Sequence, residues 1–270
     1  MNLTISGLTA QQHDRLVKAE IRCRPPSESD FVSLLEEDIA KKITLMENSS
    51  DKHFYSMEDD ITNEIVGALI TLGYDASEQT KTNGAVDITV KNGDYKWIAE
   101  AKIGNSDYAI FEGFLQLLTR YIKRDTQAGV LIYYKKIGAT IELSKFVTYL
   151  KEKKWKKSKL IANSETAMEI IDFVFDEIQI INKTDNSFTL LTKTTSGNNI
   201  KVKVFSADFY FCPVDKSGRN AGKINKNAAH NELMILHQQW KESNYEELNL
   251  DTLKCVLSRI SQYDSGDYLQ

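Results

Sequence analysis

Asp87, Glu100 and Lys102 are the residues of this chain whose types and spacing best fit chemistry. Twelve residues separate the two acids, and a lysine stands two positions after the second. Paired carboxylates hold hard divalent cations, and a lysine beside them can orient a nucleophile or stabilise developing charge. Such a trio needs a rigid scaffold. GAVDITV (84–90) and WIAEAKI (97–103) are alternating apolar runs joined by Asn92-Gly93, a strong signal for a tight hairpin. A two-residue Asn92-Gly93 turn sets Lys91 opposite Asp94 and Asp87 opposite Ile98. Side chains alternate with period 2, so Val86, Ile88, Trp97, Ala99 and Ala101 share one face. Asp87, Glu100 and Lys102 share the other. Asp87 and Glu100 then become diagonal neighbours, about 7–8 Å apart and within reach of one cation.

The pattern acid-x-Lys also occurs at Asp94-Tyr95-Lys96 and Glu152-Lys153-Lys154. Asp94 falls in the hairpin turn, and Glu152 in a lysine-rich helical end. Only Glu100-Ala101-Lys102 lies on a strand with an upstream acid on the same face of its neighbour.

The surrounding elements follow from pattern. Ser27 or Ser29 caps a helix after Pro25-Pro26. Residues 56–72 read as an amphipathic helix closed by Gly73, with Ile61, Ile65, Ala68 and Leu72 as its stripe. Residues 74–80 form a first strand, and the hairpin supplies the second and third. Residues 106–124 read as a helix capped by Ser106, 128–136 as a buried strand, and 142–157 as a helix with a basic end. Beyond 165, the runs at 169–181, 187–194 and 199–211 read as three strands, and 228–243 and 246–262 as helices. This gives an α/β (α+β) chain in three parts. An N-terminal helical segment spans 1–55, a core spans 56–160, and a β-plus-helix region, which can be continuous with the core, spans 161–270.

Asp87, Glu100-x-Lys102 and the order helix, three strands, helix, strand together resemble the PD-(D/E)xK nuclease superfamily, with its restriction-endonuclease-like fold. The resemblance covers residues 56–157; the proline that often precedes the aspartate is Val86 here. It implies a Mg²⁺-dependent hydrolase (Mn²⁺ as substitute) cutting phosphodiester bonds, with Asp87, Glu100 and the Ala101 carbonyl as metal ligands. Lys102 then orients or deprotonates the attacking water, or stabilises the pentavalent phosphorus. The resemblance also suggests Glu64 as a further metal ligand on the first helix, and Gln116 as an active-site residue on the helix after the third strand. It points to DNA, double-stranded first, and to a restriction or anti-phage role. Double-strand cleavage calls for two sites, hence a homo-oligomer such as a dimer.

Charge supports a polyanionic substrate. The chain carries net −4, but residues 81–160 hold 16 Lys and Arg against 8 Asp and Glu. Arg120, Lys123, Arg124, Lys153, Lys154, Lys156 and Lys157 are the candidate phosphate contacts. The basic loop at 215–227 is a further one. Three scattered cysteines and four scattered histidines form no metal-ligand spacing, which fits a reduced, cytoplasmic protein. No apolar run reaches membrane-spanning length. Two other readings use the same residues: a non-catalytic nucleic-acid-binding subunit, and a nuclease silent until a ligand or partner protein engages residues 161–270.

Overall fold

Strands of period 2 and helices of period 3.6 alternate along the chain, and in the computed structural model they assemble into one mixed sheet between helical layers. The structure describes residues 8–81, 84–157, 164–212, 222–243, 245–246 and 248–267. Of the basic loop at 215–227, residues 215–221 lie outside this set.

Helices α1 (Ala10–Cys23), α2 (Glu28–Glu47), α3 (Ser50–His53) and α4 (Glu58–Thr71) come first. Ser27 is the cap of α2, accepting from the Asp30 N–H. Strands β1 (Asp75–Lys81), β2 (Ala85–Asn92) and β3 (Tyr95–Ile103) form an antiparallel meander. Helix α5 (Asp107–Leu115) opens at its Ser106 cap and passes into a π-helix, Gln116–Tyr121. Strand β4 (Gln127–Tyr134) then runs parallel to β3. After α6 (Ala139–Lys151) and a 3₁₀ turn (Lys154–Lys157) come α7 (Glu165–Phe175), β5 (Gln179–Ile181), β6 (Ser187–Lys193) and β7 (Asn199–Asp208). Helices α8 (Gly222–Glu242) and α9 (Leu250–Asp267) close the described chain.

The sheet order is β1-β2-β3-β4-β7-β6-β5, with β7 parallel to β4. The strands beyond 160 therefore extend the same sheet as the hairpin. One predicted strand is a helix instead: 165–175 is α7, because Ser164 caps it and Ile171, Val174 and Phe175 recur at helical spacing into the core. Only Gln179–Ile181 remain as strand there. The helix predicted over 142–157 starts at Ala139 and stops at Lys151, and the one predicted over 106–124 turns to π geometry at Gln116.

Each sheet face has its own core. Ile88, Trp97, Ala99, Ala101, Leu131 and Tyr133 pack with α2 and α4. On the reverse face Ile98, Val130, Ile132, Val202 and Val204 pack with α5, the π-helix, α6 and α7. Two close approaches tie the layers. A Cβ at Gly129 would lie 2.2 Å from Trp97 Cζ2, and one at Gly113 would lie 2.8 Å from Lys102 Cγ. Glycine is required at both, since real Cβ atoms do not approach so closely.

The hairpin register differs by two positions from the predicted one. Asn92 pairs with Tyr95, so the turn residues are Gly93 and Asp94, with Gly93 at φ +58. That is the first turn position, where a type II′ turn requires glycine. The shift is even, so Ile88, Trp97, Ala99 and Ala101 keep their predicted face, whereas Val86 packs in the core of the reverse face with Ile98 and Tyr121. The β2–β3 pairing ends at Ile88↔Ala99, and Asp87 beyond it is held to β3 by the Ala101 N–H rather than by strand pairing.

Candidate active site

The acids and the lysine meet under α5. Lys102 Nζ lies 2.9 Å from Glu100 Oε1, 3.3 Å from Glu58 Oε1 and 3.9 Å from Asp87 Oδ2. The Ala101 N–H donates to Asp87 Oδ2 at 2.8 Å, which fixes that carboxylate against β3. The Ile103 N–H donates to Glu58 Oε2 at 2.7 Å, which holds the start of α4 at the end of β3. Gly113 presses on the Lys102 and Glu100 stems, so α5 roofs the site. Glu100 is only 2% exposed; this sheet face is a buried polar centre, not a solvated surface.

Burial governs the titration of the group. It pushes Glu100 from an ordinary 4.5 up to about 7, with Asp87 adding to the shift and Lys102 opposing it. Burial likewise raises Asp87 against the Ala101 N–H and Lys102, and raises Glu58 against Lys102 and the Ile103 N–H. For Lys102, burial alone acts downward, but Glu58, Glu100 and Asp87 together outweigh it and hold the ammonium above its usual range.

The residues present fit a divalent cation. Three acids surround one ammonium, and Glu100 Oε2 is buried with no hydrogen-bond partner. Among the described residues no three His, Cys, Asp or Glu side chains form a ready-made metal cage. Mg²⁺ does not need one: it is held by one or two carboxylates, completed by water and substrate oxygens. Asp87 and Glu100 are carboxylates of that kind.

Glu64 is not part of the site. It is exposed and pairs with Lys42 at 2.7 Å, facing His53 Nδ1 at 3.7 Å. The acid that α4 contributes is Glu58. The buried stripe of α4 is Ile61, Thr62, Ile65, Val66 and Leu69, displaced from the predicted Ile61, Ile65, Ala68 and Leu72. At ~100° per residue, Glu58 falls about 10° from the centre of that stripe and Glu64 about 130° away. The signal was present in the sequence, as an acid in line with Ile61 and Ile65 one turn earlier. Glu64→Ala therefore leaves any cleavage rate within about twofold, whereas Glu58→Ala lowers it about tenfold or more by freeing Lys102. Rates of the two purified variants, measured side by side, check this.

Gln116 begins the π-helix one turn past Gly113, and its Oε1 is buried without a hydrogen-bond partner. The next turn carries Tyr121, whose hydroxyl donates to the Ala85 carbonyl and whose titration is raised by burial, with Glu100 and Asp87 adding to the shift. Arg120 is exposed beside it, its guanidinium carbon 5.9 Å from the Tyr121 ring centre. Arg120 thus neighbours a residue whose titration is coupled to Glu100 and Asp87. Lys123 bonds Thr119 and Thr195, and Arg124 is exposed.

The lysines of 153–157 are placed differently from the expectation. Lys153 pairs with Asp176, Lys154 with Glu152, and Lys156 with Asp172. These acids offset the charge of the segment, so three of its four candidate phosphate contacts serve local ion pairs. Lys157 is exposed. Trp155 among them is buried and stacks on Phe111 at 4.9 Å, anchoring the turn to the core.

Comparison with protein-family models, with curated proteins and with solved structures finds no match to this chain. Among the described residues, no helix is long and apolar enough to cross a membrane.

Proposed function

We propose that this protein is a metal-dependent nuclease that hydrolyses phosphodiester bonds of DNA, built on a restriction-endonuclease-like core. The observation that carries the reading is the convergence of Glu58, Asp87 and Glu100 on Lys102 Nζ within 4.0 Å, on a sheet face roofed by a helix. The order α4, β1, β2, β3, α5, β4 supports the fold assignment.

When bound, Mg²⁺ would supply Lewis-acid stabilisation of phosphoryl charge and a more acidic water. Asp87 and Glu100 would hold the cation, with the Ala101 carbonyl as a further donor. Glu58 ties the β3 end to α4 and fixes the lysine between the acids. Lys102 keeps its proton at neutral pH, because three carboxylates raise its affinity for it. That favours stabilising negative charge at the scissile phosphate over proton abstraction. Arg120, on the π-helix beside the site, is placed to meet the neighbouring backbone phosphate.

The test is incubation of labelled DNA with the full chain in Mg²⁺ or in EDTA. Cleavage that appears with the cation and disappears with the chelator is the expected result. Salt-sensitive binding with no cleavage under either condition sinks the hydrolase reading in favour of a binding subunit.

A further inference from the structure

We propose that the cleft beside the catalytic face holds a nucleobase, so that the preferred substrate carries an unpaired nucleotide next to the scissile phosphate. This deepens the nuclease reading and rests on it for the identity of the ligand. The cleft has a volume of about 370 Å³ and is lined by Phe54, Tyr55, Met57, Ile103, Lys135 and His230, among others. Small-ligand clefts run from about 300 to 1,000 Å³, so a base or a nucleotide is the size of guest that fits.

Its position follows from chain connectivity. Met57 precedes Glu58, and Ile103 follows Lys102, so two lining residues adjoin two members of the acid–lysine group. The Ile103 N–H donates to Glu58, and Lys135 in the cleft senses the Glu58 charge, so the cleft and the acid–lysine group are neighbours.

The chemistry of the walls also matches. Tyr55 is half-buried and offers an aromatic surface, with Met57 and Ile103 as apolar neighbours. Base–aromatic stacking is sequence-tolerant because every base has a π-face. Polar groups converge from Asn105, His230 and Lys135. Lys135 is buried, and its ammonium donates to the Ser56 carbonyl. Burial lowers its titration to about 8, with Glu58 and Asp60 opposing, so it remains largely cationic at neutral pH. A cation beside an apolar, aromatic slot is suited to a base together with its attached phosphate. In a duplex the bases are stacked inside the helix, so only an unpaired or extruded one can enter such a slot.

The experiment measures binding in EDTA, where cleavage plays no part. Short fluorescein-labelled single strands carry one abasic residue at successive positions, and anisotropy gives Kd. The expected result is one position where the abasic residue weakens binding about tenfold, the scale of one lost stacking contact. Tyr55→Leu weakens the intact strand by a similar factor and leaves that abasic strand unchanged. His230→Ala, on an exposed helical position, gives the same pattern with a smaller loss and without disturbing packing. A flat abasic scan, or a Tyr55→Leu loss equal on both strands, overturns the proposal and leaves the cleft to a different guest. Cleavage of the same strands in Mg²⁺ reports on the nuclease reading separately. The positional pattern without cleavage supports the base site while removing the hydrolase.

Discussion

Glu100→Gln makes the protein more stable near pH 8 by about 2–3 kcal/mol, while it lowers Mg²⁺-dependent cleavage about 100- to 1,000-fold. Both effects have one cause. In the folded protein the buried Glu100 carboxyl holds its proton up to about pH 7, against 4.5 as its ordinary value. Between those values the folded state binds a proton that the unfolded state has released, so wild-type stability falls as pH rises through this window. A gap of this size corresponds to about 3 kcal/mol. Glutamine resembles the protonated acid and escapes the cost, so the variant loses less stability than wild type between about pH 5 and pH 8. It also removes an anionic oxygen from the donor set, which is why cleavage is lost. Denaturant titrations at both pH values check the first effect. A variant whose stability tracks wild type at every pH contradicts the burial of this acid.

Lys102→Met acts in the opposite direction on stability and the same direction on activity. Methionine matches the stem pressed by Gly113 but carries no charge. Glu58, Asp87 and Glu100 then face one another without a counter-ion. Removing one partner of a buried ion pair costs about 3–5 kcal/mol, and the lysine side chain is 19% exposed, so about 3 kcal/mol is expected near pH 8. The loss shrinks as pH falls toward 5, because Glu100, raised by burial to about 7, takes up its proton and no longer repels the other two acids. Cleavage falls about 100- to 1,000-fold, the scale of removing one preorganised charge-stabilising group. The two variants together form a signature. Near pH 8 one is more stable than wild type and the other less, and both are inactive. A purely structural ion pair gives the stability pattern without any activity to lose.

The grouping of Asp87, Glu100 and Lys102 is legible in the sequence because strand period is robust. The turn is one residue later than Asn92-Gly93 suggests, with Gly93 and not Asn92 at the position needing positive φ. That error moves the pairing by two, and an even shift preserves faces. Glu58 escapes the sequence pattern for the converse reason. The apolar spacing puts the stripe of α4 along Ile61, Ile65, Ala68 and Leu72, whereas burial follows Thr62, Val66 and Leu69 as well as Ile61 and Ile65. A rotation of that size exchanges which glutamate faces the sheet.

Other features depend on contacts that one-dimensional pattern does not carry. The lysines around Trp155 look like a cationic patch until α7 places Asp172 and Asp176 against them. Residues 169–175 alternate enough to pass for a strand, but Ser164 and the spacing of Ile171, Val174 and Phe175 make them helical. The joining of β7 to β4 is a parallel pairing across more than sixty intervening residues, and local pattern is silent about it.

The most direct measurement is cleavage of one labelled DNA strand by wild type, Glu100→Gln and Lys102→Met, each with Mg²⁺ and with EDTA. The account predicts product from wild type with Mg²⁺ alone, with the two variants slower by about 100-fold or more. Equal cleavage by all three proteins, or cleavage that persists in EDTA, contradicts it.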